Sequence, residues 1–326
     1  MIVGRTVRCR VSPSLALIKY WGKLDTKRNL PATPSLALNL KDLTTETVVR
    51  IADSDSVTID GIPMPPERFS SFFDNLRASL DVDCRFEAES KNNFPTSAGL
   101  ASSSSGFAAL AGACAAACGK KPSLEELSAM ARVGSASAAR AVYGGFSLLP
   151  AGASYATRLH DAAFWPEVRT IVVKIDSGKK VASSREAMEA VRRSSPFYRS
   201  WVEQSSIVLE RALEALNSRD IAALGEAVRH SYMSMFATMM GATPPILYWK
   251  PQSIAVIRGC SLLREQGLQA WETMDAGPQV KVLCLASQAE AIRDGIAAEV
   301  PEIDREEDTL VTAPGPGLVV EEVDGE

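Results

Sequence analysis

Apolar and polar residues alternate over 5–11, 46–52 and 84–90, a period of two that predicts strands, with a further strand at 56–59. Asp60-Gly61 reads as a tight turn after it, and Pro63-Met64-Pro65-Pro66 as a loop. A helical period covers 66–80 and returns at 103–118 and 123–132. The last of these opens on Ser123 with Glu126 three residues on, the spacing of a capping box. Residues 144–149 and 169–176 read as strands, the second a continuous apolar run suited to a core. Ser177-Gly178-Lys179-Lys180 breaks that run, which places a domain boundary there and predicts units of 1–178 and 179–326. The second half begins with helical patterns at 184–193, 197–216, 219–239 and 251–265. Strands at 268–274 and 279–286 and a helix at 287–298 follow, then Pro314-Gly315-Pro316-Gly317 and an acidic tail that reads as irregular. Strands and helices mix without a βαβ rhythm, which predicts an α+β fold.

Bulk composition narrows the classes. A length of 326 residues suits two domains, and 46% hydrophobic against 23% charged residues is the balance of a globular protein. A net charge of −4 argues against a nucleic-acid partner, so an anionic ligand needs a local cationic pocket. The six cysteines include no CxxC pair and read as buried free thiols, which fits a reducing cytoplasm. The start of the chain lacks a signal-peptide apolar region, and no uncharged apolar stretch approaches the roughly 20 residues that a membrane helix needs, so no membrane partner is expected.

Four segments carry candidate chemistry. From Thr96 to Gly106 the chain has almost no bulky side chains before it enters the 103–118 helix. Free N–H groups and hydroxyls at a helix start suit a phosphate, but the same composition suits a flexible loop or a tightly packed helix start. Lys19, Tyr20 and Lys23 lie within five residues beside Gly22, a cationic anion pocket or a strand end with solvated lysines. Arg140 sits in a Ser/Ala/Gly frame with Ser135 and Ser137, and its planar fork matches a carboxylate or phosphate. Asp275 stands between two apolar strands, either a turn residue or a carboxylate base held on a rigid hairpin. His160 and His230 match no motif and read as solvated, and no metal-ligand cluster is visible.

Taken in order, Ile18-Lys19-Tyr20-Trp21-Gly22-Lys23, Asn93-Phe94-Pro95-Thr96, Gly99-Leu100-Ala101-Ser102-Ser103, Tyr143-Gly144-Gly145-Phe146 and Asp275-Ala276-Gly277-Pro278 resemble the mevalonate diphosphate decarboxylases of the GHMP kinase superfamily. The resemblance spans essentially the whole chain. It implies an N-terminal ribosomal-S5-like ATP-binding domain and a C-terminal ferredoxin-like domain around a cleft. It implies ATP-dependent decarboxylation of mevalonate 5-diphosphate to isopentenyl diphosphate in isoprenoid biosynthesis, with phosphorylation of the 3-hydroxyl first. Alternatives within the superfamily are a mevalonate 5-phosphate decarboxylase giving isopentenyl phosphate, a 3-kinase that does not decarboxylate, and a non-catalytic ligand-binding member.

The resemblance also assigns roles. Asp275 matches the catalytic aspartate that orients or deprotonates the 3-hydroxyl, Lys19 the lysine bonded to it, and Arg140 the arginine that holds the substrate carboxylate. Tyr20, Lys23, Ser135, Ser137, Ser184 and Arg185 match positions around the substrate and its 5-phosphates. Ser97, Gly99, Ala101, Ser102, Ser103, Ser104 and Ser105 fall in the ATP phosphate loop, and Mg2+ is expected to arrive with ATP. A homodimer is carried over as a family habit. The chain departs from the pattern at Ser104-Ser105, where Ala-Ala is usual, at Phe236, where a histidine is frequent, and at Ala136, where Gly is usual. A methyl at 136 is expected to disturb backbone contacts to the distal phosphate.

Overall fold

A computed structural model describes residues 5–94, 102–176, 178 and 182–323. The expected phosphate-loop residues Ser97, Gly99 and Ala101 lie outside the described residues. The α+β expectation holds: strands and helices mix in layered sheets.

The first sheet has six strands in the order Val319–Val323, Thr6–Val11, Thr45–Ala52, Arg85–Asn92, Ser56–Ile59 and Ile62–Pro63. Its pairs are antiparallel apart from Ser56–Ile59 with Arg85–Asn92. The inward residues Val7, Cys9, Val11 and Val49 meet the helix Ser102–Ala117, whose alanines let it approach the strands closely. The helix Leu124–Gly134 starts with the expected capping box: Glu126 N–H donates to Ser123 Oγ at 3.2 Å, and Ser123 N–H to Glu126 Oε2 at 2.7 Å. Such a cap contributes about 1 kcal/mol.

A second antiparallel sheet runs Thr157–His160, Phe146–Leu149, Ser35–Asn39 and Ser14–Ala16. The third runs Trp271–Met274, Val280–Leu285, Val168–Val173 and Thr309–Thr312. Two long helices, Tyr198–Ser218 and Ile221–Met240, form a hairpin that turns at Arg219 in the left-handed region (φ 54°). Asp220 caps the second helix by accepting from Ala222 and Ala223 N–H, both at 3.0 Å. Leu15, Leu17, Leu36 and Leu38 of the N-terminal half share one apolar core with Val208, Leu224, Val228 and Leu283 of the C-terminal half.

Two sequence expectations need correction. The sheets do not divide at residue 178. Val168–Val173 is an inner strand of the third sheet, because an almost wholly buried apolar run needs a partner strand on both edges. The acidic tail is not irregular either. Val319–Val323 pairs antiparallel with Thr6–Val11, and its glutamates meet the arginines of the neighbouring strand, with Arg10 Nη1 at 3.1 Å from Glu321 Oε2. Neither histidine defines a site. His160 is not simply solvated: it stacks on Phe164 and bonds Asn217 at 2.8 Å, whereas His230 is exposed.

Candidate active site

The segment after Ser14–Ala16 leaves its sheet and turns inward. Leu17 and Ile18 anchor it in the shared core, and Ser231 Oγ accepts the Lys19 N–H at 2.9 Å. Lys19 is thereby held at 1% exposure. Further on, Trp21 N–H donates to Thr33 Oγ1 at 3.1 Å, and Trp201 Nε1–H to Trp21 O at 3.0 Å. Gly22 is required here: its φ is +97°, and a Cβ would lie 2.1 Å from the Tyr198 hydroxyl.

Opposite stands the hairpin between Trp271–Met274 and Val280–Leu285, with Asp275 at the first strand's end. Gln279, nearly fully buried, fixes the hairpin by bonding the backbone of Ile175 and Asp176. The Asp275 carboxylate keeps 24% exposure and bridges two buried ammonium groups. Lys19 Nζ lies 2.8 Å from Oδ1 and Lys281 Nζ 3.3 Å from Oδ2. Lys19 Nζ also donates to Ala16 O at 2.6 Å. Burial acts to raise the pKa of Asp275, but the two lysines outweigh it and hold the carboxyl well below the usual carboxylate range. Burial lowers Lys19 to about 8, helped by the charges of Lys281 and Arg140 and opposed by Asp275.

Arg140, on the short helix Ala138–Ala141, completes the group at 2% exposure. Its Nε and Nη1 are buried without a hydrogen-bond partner among the described residues, as is the Tyr20 hydroxyl. Burial brings this guanidinium down to about 10, with Asp275 offsetting part of the cost. A buried cation with unpaired donors is expensive unless an anion meets it.

These groups line one cavity of about 150 Å³ together with Ser135, Ser137 and Ser184. Ser135 and Ser137 hydroxyls lie 2.9 Å apart. Sequence reasoning therefore named groups that do converge. Lys23 and Arg185 stand apart from this lining: Lys23 is half-buried and Arg185 exposed, and burial together with the Arg185 charge lowers Lys23 to about 8.

A second, smaller cavity of about 70 Å³ lies between the first sheet and the start of Ser102–Ala117, with Val57, Ile59, Phe69 and Phe107 giving it an apolar wall. Ser102 and Ser103 line it, and Ser103 also lines the first cavity, so it stands where the two meet. Ser104 and Ser105 do not belong to either. Both are fully buried, with Ser104 Oγ accepting Ser14 N–H at 3.3 Å and Ser105 Oγ bonded to Thr45 Oγ1 at 2.6 Å, so they fasten the helix to the sheets. The Ala136 methyl also differs from expectation. It is packed in the apolar core rather than in the cavity lining.

The residue that sequence reasoning missed is Lys281. Its signal was present, a lysine inside the apolar run Val280–Leu285, but a lysine on a strand reads as solvent-facing until the neighbouring carboxylate is located.

Residues 11–160 match the diphosphomevalonate decarboxylase-like N-terminal domain, and residues 170–318 the mevalonate 5-diphosphate decarboxylase C-terminal domain. The chain belongs to the diphosphomevalonate decarboxylase family. This family member is 32% identical to the diphosphomevalonate decarboxylase of Saccharomyces cerevisiae, over 84% of this chain and 76% of the yeast protein. It is 30% identical to the phosphomevalonate decarboxylase of Haloferax volcanii, over 88% of this chain and 91% of that protein. The solved structure of MDDEF in complex with MVAPP, AMPPCP and magnesium superposes with a TM-score of 0.90 at 33% identity, covering 98% of this chain and 99% of that one. The two-domain fold expected from the family motifs is thus the fold observed. Among the described residues no helix is long and apolar enough to cross a membrane.

Proposed function

We propose that the chain catalyses ATP-dependent decarboxylation of mevalonate 5-diphosphate to isopentenyl diphosphate, releasing ADP, phosphate and CO2. The observation that carries this reading is the Arg140 guanidinium, buried with unpaired donors in the cavity that also holds Asp275. A substrate carboxylate supplies the bidentate anion that such a fork lacks. With the carboxylate on Arg140, the neighbouring 3-hydroxyl falls to Asp275.

Asp275 already accepts from an ammonium on each oxygen, and its carboxyl is strongly acidic. It is a weak proton acceptor in that state. The role it fits best is to orient the hydroxyl and then to offset the positive charge that grows at C3 as the 3-phosphate leaves. Lys19 keeps Asp275 ionised and faces the departing anion. The carboxylate can release CO2 once C3 accepts its electron pair.

The second cavity, with its apolar wall, is assigned to the nucleotide, and Ser103, where the two cavities meet, to the phosphoryl group in transfer. Mg2+ is assigned to the ATP phosphates, beside the Ser102 and Ser103 hydroxyls. Lys23, Arg185, Ser135, Ser137 and Ser184 are assigned to the phosphorylated tail of the substrate. The Ala136 methyl packs in the core and not in the cavity lining, so it gives no reason against the diphosphate. The cytoplasm is the proposed location, in keeping with six free cysteines.

The test is a paired assay with mevalonate 5-phosphate and 5-diphosphate that tracks ADP, inorganic phosphate and CO2 together. Equal release of all three, with the higher kcat/KM on the diphosphate, is the expected result. ADP without CO2 makes the protein a kinase, and a preference for the monophosphate makes isopentenyl phosphate its product.

A further inference from the structure

Lys281 lies on the strand Val280–Leu285 at 2% exposure, among residues that are otherwise all apolar. A lysine is seldom buried without a specific partner. Its Nζ is 3.3 Å from Asp275 Oδ2, on the opposite side of the carboxylate from Lys19, whose Nζ is 2.8 Å from Oδ1. With Lys19 alone, the carboxylate keeps its rotation about the Cβ–Cγ bond. With an ammonium on each oxygen, the carboxylate plane is set.

The charge balance of the cavity points the same way. Among the described residues, Lys19 and Lys281 both contact the Asp275 carboxylate, and Lys281 and Arg140 both act on the Lys19 ammonium to make it a stronger acid.

We propose that Lys281 is a positioning residue of the reaction, which fixes the Asp275 carboxylate toward the substrate 3-hydroxyl and sets the charge balance of the Lys19–Asp275 pair. The inference rests on the reading of the site given above. Lys281 reaches the reacting atoms only through Asp275, so its effect belongs to turnover rather than to binding.

The test uses the full chain carrying Lys281→Met, which keeps length without charge, and Lys281→Arg, which keeps charge. Steady-state rates are normalised to the folded fraction measured by thermal melting, and kcat/KM is followed from pH 6 to 10. Lys281→Met is expected to lower kcat about 10- to 100-fold, the size of effect that misplacing a reacting group produces, with both KM values within about threefold of wild type. Its alkaline limb should move up by about one pH unit, because Lys19 loses a neighbouring cation. Lys23 titrates in the same range, but the charges acting on it are Arg185 and Glu189, so its contribution stays the same in both proteins. Lys281→Arg should retain more turnover than Lys281→Met and show a smaller displacement of the limb. If Lys281→Met does not fold, Lys281→Arg alone carries the test, through lowered kcat at unchanged KM. Wild-type kcat and an unmoved limb in the folded variant overturn the proposal, as does a loss confined to KM. Absence of CO2 release by the wild type overturns the underlying reading instead, so the two failures are separable.

Discussion

Lys19 Nζ and Asp275 Oδ1 lie 2.8 Å apart, although 256 residues separate them in the chain. One residue follows a short strand of the N-terminal half, and the other ends a strand of the third sheet. The contact therefore exists only when both halves are folded and packed through their shared core. It places an ionised carboxylate in a cavity whose other charged groups, among the described lining residues, are Lys19 and Arg140, and each property of the proposed reaction depends on it.

Replacing Asp275 with Asn keeps the shape and removes the charge. Turnover should fall by about 10²–10⁴-fold, the usual cost of losing one acid–base or orienting group. Binding of ATP and the acid, measured by calorimetry, should remain within a few-fold of wild type. A variant that keeps half of the activity removes Asp275 from the mechanism.

Arg140→Lys preserves the charge but not the planar fork. An ammonium cannot form two parallel bonds to a carboxylate, so kcat/KM for the acid should drop by about 10- to 100-fold, the worth of one charge-assisted bond. Near-normal kcat/KM in the lysine variant shows instead that position 140 contributes charge alone.

The pH dependence of acid binding should report on Lys23. Burial and the neighbouring Arg185 bring its ammonium down to about 8, so it is charged below that pH and progressively neutral above it. Affinity for the diphosphate should therefore weaken as pH rises through 8. Lys23→Ala should bind about 10- to 100-fold more weakly at pH 7 and lose part of this dependence, the remainder following Lys19, which is also lowered to about 8. A wild-type affinity that stays flat from pH 7 to 9 contradicts the assignment.

Gly144 and Gly317 pack backbone to backbone. A Cβ on Gly144 would meet Gly317 N at 2.5 Å, and a Cβ on Gly317 would meet Gly144 N at 2.7 Å. Leu318 N–H donates to Val142 O at 3.1 Å and Gly145 N–H to Gly315 O at 2.9 Å, so the tail is sewn to the segment that follows Arg140. Gly317→Ala should destabilise the protein by about 1–3 kcal/mol, the range for overpacking, and lower its melting temperature by several degrees. An unchanged Tm means that the tail can shift without cost.

Local pattern was sufficient for most of the helices and long strands. The Ser123–Glu126 cap, the helix Pro251–Glu265 and the strand Ser56–Ile59 follow from contacts within a few residues, which are written in consecutive positions. Motif order carried the family, and with it Lys19, Arg140 and Asp275, which line one cavity and each sit in a short fingerprint of neighbouring residues. Partners distant in sequence were a different matter. That Val319–Val323 closes the sheet beside Thr6–Val11, that Val168–Val173 belongs with the C-terminal strands, and that Ser104 and Ser105 face the protein rather than a ligand were decided by pairing and burial. Lys281 shows the reason most directly. A lysine is compatible with an exposed edge or with a buried ion pair, and only the tertiary structure, by placing Asp275 3.3 Å from its ammonium, selects between them.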